Sequence, residues 1–179
     1  IRKAVTPEYA SPNGKSFLNV VVDAGAEIVL EDFTFSKTQV SGEGKASLTG
    51  DQLATISGRL AIFTREFGVF DANMSGLGSL DRTYWFFPGP SGKQTGAIGN
   101  VILGSEGNVF FDAGTVVTVE KSMVIAADIN LNGEMVLKAD VSVAPVGLRG
   151  GINVNDGCSL TAPGNLEKMV TLSCNLAIP

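Results

Sequence analysis

The sequence predicts an all-β chain built as two tandem, internally duplicated antiparallel β units of sandwich or jelly-roll type, and three observations point there. Residues 19–31 (NVVVDAGAEIVLE) recur as residues 108–120 (NVFFDAGTVVTVE) at an offset of 89 with no gap. No stretch of about 11 residues sustains a 3.6-residue apolar period. Short β-branched runs instead follow one another at intervals of about 8 to 12 residues, with Gly-rich turns between them. Carried along the chain, the offset also pairs Thr6 with Thr95, Gly44 with Gly133, Leu48 with Leu137, Asp51 with Asp140, Gly58 with Gly147, Gly68 with Gly157, Leu77 with Leu166 and Pro90 with Pro179. Together with Ser16 and Ser105 and the six identities of the recurring stretch these make 15 in 90 pairs, where this composition gives roughly 6 by chance. The units are therefore about 1–90, with an arm at 1–16, and 91–179. A β-solenoid is the runner-up, because its rungs also give short Val-rich runs with Gly and Asn corners. The long repeat and the hairpin signals count against it.

Taken in order, residues 1–16 carry two prolines and an Asn-Gly pair, the composition of an arm that embraces a neighbour. Phe17 to Val22 and Ala26 to Leu30 are β-rich runs around Asp23-Ala24-Gly25, where Asp can bond its own backbone and Gly can take positive φ. From Asp32, DFTFSKTQV alternates, SGEGK interrupts and ASLTG resumes, which predicts a hairpin. The second copy has AADINLNGEMVLKAD there, with Asn132-Gly133 as a two-residue hairpin turn. Further short runs follow around Gly58, at Phe67 to Phe70 and Thr83 to Phe87, and in the second copy at Gly157 to Leu160 and Met169 to Leu176. At most, LEKM beside Leu166 makes one helical turn.

Composition bounds the function. Charged residues are 17 % and the net charge is −5; no basic patch forms, which counts against phosphate-mediated nucleic-acid binding. No run of about 18 apolar residues is present, so no membrane-spanning helix is expected. The Met-less start at Ile1 fits a processed or trimmed product. The absence of histidine removes Ser-His-Asp triads and His-containing zinc sites. No cofactor or metal is expected and no catalytic residue stands out. Gly42-Glu43-Gly44-Lys45 lacks the first glycine of a phosphate loop and reads as a hairpin turn. The carboxylates repeated in both copies are Asp23/Asp112, Glu31/Glu120 and Asp51/Asp140, either a calcium or sugar site per copy or turn and strand-end residues. Two of them suffice for a glycan hydrolase, the third functional reading.

Arg82-Thr-Tyr-Trp-Phe-Phe-Pro88 is the densest aromatic cluster. Tyr84, Trp85, Phe86 and Phe87 are the candidate binding residues, for stacking on sugar rings or anchoring a protein interface. Strand alternation buries one pair, either Tyr84 with Phe86 or Trp85 with Phe87, and leaves the other for contact. Cys158 and Cys174 are either a disulfide, worth about 3 kcal/mol, or two buried thiols. Asn73-Met74-Ser75 matches a glycosylation sequon.

The stretch NVFFDAGTVVTVEKSMVIAADINLNGEMVLKADVSV resembles the β-rich surface proteins of bacteriophage virions, such as capsid decoration proteins and tail spikes or fibres. The resemblance implies a homo-oligomer, often a trimer, that binds a capsid or other protein lattice or a cell-surface glycan, located on the virion or outside the cell. The expected function is thus a non-enzymatic virion structural protein acting through protein–protein contacts. The alternative is a secreted carbohydrate-binding module or lectin-like adhesin.

Overall fold

A computed structural model of the chain describes residues 17–31, 34–50, 54–74, 82–103, 107–139, 141–143, 151–155 and 157–161. The arm at 1–16, Asp51, Asp140, Cys174 and the expected helical turn beside Leu166 lie outside the described residues. The described residues form fourteen strands: β1 (Phe17–Val21), β2 (Glu27–Glu31), β3 (Thr34–Gly50), β4 (Ala54–Asn73), β5 (Arg82–Phe86), β6 (Gln94–Leu103), β7 (Gly107–Phe111), β8 (Thr115–Val119), β9 (Met123–Ile125), β10 (Asp128–Leu131), β11 (Glu134–Leu137), β12 (Val141–Val143), β13 (Gly151–Val154) and β14 (Ser159–Thr161).

All these strands belong to one sheet and every pairing is parallel, so the expectation of antiparallel units is overturned. The chain winds as a parallel β-solenoid. The first side stacks β1, the first part of β3, the first part of β4, β5, β7, β10 and β13. The second side stacks β2, the rest of β3, the middle of β4, β6, β8, β11 and β14. A third side is marked by Gly50, Ala72, Val101, Met123 and Val141 in register.

The misreading has a physical cause. An extended parallel sheet buried on both faces gives continuous apolar runs, but a solenoid wall has core on one face and solvent on the other, so its strands alternate as a half-solvated antiparallel sheet does. Thus β8 buries Thr115, Val117 and Val119 and turns Val116 and Thr118 outward. The core is a column of such inward residues, including Leu60, Ile62, Phe67, Phe86, Phe111, Val117, Ile129, Leu131 and Met135.

Both expected hairpins are solenoid corners. β10 and β11 flank Asn132-Gly133, yet β10 pairs with β7 and β13 while β11 pairs with β8 and β14. Likewise the 42–45 segment lies inside β3, which pairs with β1, β2 and β4 and not with itself. What Gly44 and Gly133 share is their place beneath an Asp-Ala-Gly turn one rung earlier. A Cβ on Gly44 would fall within 3.0 Å of the carbonyl oxygens of Asp23 and Ala26, and one on Gly133 within 3.0 Å of those of Asp112 and Thr115. The turns themselves match: Ala26 N donates to Asp23 O at 2.9 Å and Thr115 N to Asp112 O at 3.0 Å, with Gly25 and Gly114 at φ +76° and +84°.

The offset of 89 acquires a geometric meaning. On the second side, Glu27, Lys45, Glu66, Thr95 and Val116 stack in one column, so 89 residues separate rungs four turns apart, about 22 per turn. On the first side the same four turns run from Phe17 to Asn108, which is 91 residues. The difference lies in the corner between the two sides, five residues (22–26) in the first turn and three (112–114) in the later one.

Candidate functional site

The outer surface of the first side carries the unusual chemistry. Strand alternation settles the aromatic cluster: Tyr84 and Phe86 point inward, 1 % and 0 % exposed, while Trp85 and Phe87 point outward and are half-buried. Tyr84 donates its hydroxyl to Met74 O at 3.0 Å. Phe86 packs against Phe67 and Phe111, ring centroids 4.6 and 5.1 Å away. Neither can meet a ligand without the core opening, so of the four candidate residues the structure presents Trp85 and Phe87.

These two join partners that sequence reading did not single out. Phe63, half-buried, packs edge-on against Phe87. Phe110 lies one rung below Trp85, centroids 5.8 Å apart, and Phe87 lies 5.2 Å from the indole. The Arg59 guanidinium sits 4.8 Å from the indole centroid, a cation–π contact. The indole N–H reaches Asp112 Oδ2 at 3.3 Å. Trp85 is therefore the middle of a stack, one of its faces already covered by Arg59.

Below the aromatic strip the outward positions change character. In the β7 turn they are Asn108, Phe110 and Asp112; in the β10 turn they are Asp128, Asn130 and Asn132; in the β13 turn they are Gly151, Asn153 and Asn155. Seven of these nine are Asn or Asp, residues depleted in strands because their side chains compete for the backbone. At the corner the seven are partly accounted for as a ladder. Asn155 donates to Asn132 Oδ1, Asn132 Nδ2 to Asp112 Oδ1 at 3.4 Å, and Asp112 Oδ1 also accepts from Ala113 N at 3.0 Å. Such amide ladders stabilise stacked parallel strands. Asn108, Asn130 and Asn153, one residue from each turn, make no side-chain hydrogen bond among the described residues; Asn153 is exposed, Asn108 and Asn130 half-buried. The signal was legible as DINLN and INVN, Asn alternating with apolar residues.

The other candidates fall elsewhere. Asp23 and Asp112 belong to their turns, and Glu31 and Glu120 are exposed at the ends of the second-side strands. No group of three or more Cys, Asp or Glu able to hold a metal occurs among the described residues. Lys45 of the Gly-Glu-Gly-Lys stretch pairs with Glu27 at 3.1 Å, a half-exposed contact of small energetic weight. In the sequon, Asn73 ends β4 and Met74 is buried in the core. Cys158 is half-buried at the corner before β14, its N–H bonded to Asn155 O at 3.1 Å; its expected partner is not among the described residues. Comparison with protein-family models, curated proteins and solved structures found no match.

Proposed function

We propose that the chain is a non-enzymatic structural protein of a virion surface, a capsid decoration or spike component that works through protein–protein contacts as a homo-oligomer. The observation that carries this reading is the one core cluster that runs through the described turns, which makes them a stiff post with three outer sides. Exposed apolar residues lie on different sides, Val21 (74 %) on the first, Val29 (44 %) on the second and Ile102 (37 %) on the third, and lateral packing of copies would cover them. Size-exclusion chromatography with light scattering tests it. A discrete oligomer that persists on dilution is expected, and a monomer at all concentrations defeats the reading.

A second reading, a secreted carbohydrate-binding module or lectin-like adhesin, is favoured by the outer surface of the first side. Aromatic side chains beside planar amides are the usual means of holding a sugar, an apolar platform next to paired donors and acceptors. An immobilised oligosaccharide array probed with the whole chain tests this reading, with binding of at least one glycan expected and a blank array excluding it.

A further inference from the structure

We infer that an extended, uncharged polysaccharide chain lies along the solenoid axis over the Phe110, Asn130 and Asn153 column, a proposal that rests on the carbohydrate-binding reading above. The first support is the breach of local preference. Asn and Asp weaken strands, and positions that violate local preference are where natural proteins place function. The corner ladder gives Asp112, Asn132 and Asn155 a structural role. No such bond among the described residues explains Asn108, Asn130 and Asn153, of which Asn153 is exposed and the other two half-buried.

The second support is geometry. Phe110, Asn130 and Asn153 stand in register on successive rungs, which repeat at about 4.8 Å, so the column is a straight array of evenly spaced groups. An amide meets a pair of neighbouring hydroxyls with one donor and one acceptor at once. The ring of Phe110, at the head of the column, gives an apolar floor for the C–H face of one sugar. Unlike Trp85, whose indole is engaged by Arg59, Phe110 is not covered by a cation among the described residues.

The third support is charge. Asp112, whose hydrogen-bond partners are the neutral Trp85, Ala113 and Asn132 groups, flanks the column and repels a polyanion, so uronate-rich polymers are disfavoured. A protein partner matches the column poorly, since interface cores favour aromatic, Met and Arg side chains.

Native affinity electrophoresis tests the assignment. The whole chain is run through gels containing hydroxyethyl cellulose, dextran, galactomannan or polygalacturonate, beside a polymer-free gel. Retardation by at least one neutral polymer and none by polygalacturonate is expected. The Asn130→Ala/Asn153→Ala variant, checked for an unchanged urea midpoint, is expected to bind at least 10-fold more weakly. Should the variant lose stability, Asn130→Val/Asn153→Val, which removes both amides with a strand-favouring side chain of similar width, serves instead with the same expected loss. Retardation that survives these changes overturns the assigned column while leaving the carbohydrate-binding reading in place. A blank glycan array together with unretarded migration overturns both. Retardation by polygalacturonate alone, or concentration-dependent slowing without polymer, overturns the proposal in favour of an acidic ligand or a second copy of the chain.

Discussion

At the scale of single residues, the most constrained polar group in the described core is Gln94, which is fully buried. Its Nε2 donates to Ile62 O at 3.0 Å and Thr64 O at 2.9 Å, and its Oε1 accepts from the Thr115 hydroxyl at 3.2 Å. One side chain thereby ties three successive turns together at the same corner. Gln94→Leu keeps the volume but strands those partners, and a loss of about 2 kcal/mol is expected, seen as a lower urea midpoint at unchanged slope. Gln94→Glu is expected to be worse at pH 7. Burial raises the folded-state pKa of the introduced acid, so the lost stability returns as pH falls toward about 4, where the neutral acid can still donate. No sequence signal marks Gln94, because a lone Gln among turn residues looks like surface. The aromatic quartet was half legible: alternation required one pair inside, but choosing Tyr84 and Phe86 needed the direction of the wall, which no run of five residues contains.

At the scale of elements, the corners decide the fold, and they are where sequence reading was both most informative and most misleading. Asp23-Ala24-Gly25 and Asp112-Ala113-Gly114 are the turns their chemistry predicts. Gly44 and Gly133 were correctly paired, but as parts of hairpins; the tight Asn-Gly signal reports a change of direction without saying whether the next strand folds back or moves to another side. The distinction is non-local, since it depends on a Thr115 carbonyl one rung away. It also makes a prediction. Gly133→Ala drives a methyl into the Asp112 and Thr115 carbonyl oxygens, backbone atoms that cannot rotate away, and is expected to cost about 3 kcal/mol. Gly25→Ala meets nothing within 4 Å and suffers only its positive φ, about 1 kcal/mol. Equal urea midpoints for the two variants would refute this account. At the corner between the second and third sides, Asp71 and Asn100 adopt φ of 50° and 54°. Asn100 Nδ2 donates to Asp71 Oδ1 at 2.8 Å and Ser122 Oγ to Asn100 Oδ1 at 3.1 Å, so these residues do by side-chain bonding what glycine does elsewhere.

At the scale of the whole molecule, each turn touches only the turns above and below, so stability is a sum of rung and neighbour terms. The duplicated stretch made this repetition visible, but at four times its true period, because intermediate turns vary from 18 residues (Glu27 to Lys45) to 29 (Glu66 to Thr95). That drift hides a period near 22 from a fixed-offset comparison. The same winding has a mechanical consequence. Hydrogen bonds between rungs lie along the axis, so tension applied at the two chain ends peels the wall open from its last rung instead of shearing it as a block. Each released rung frees about 22 residues, roughly 75 Å of contour at about 3.4 Å per residue. In a single-molecule pulling experiment the chain is therefore expected to extend in a staircase of steps near that length, where a globule that breaks all at once would give a single long jump. A post of this construction yields by unwinding, one turn at a time, and rewinds from the turns that remain.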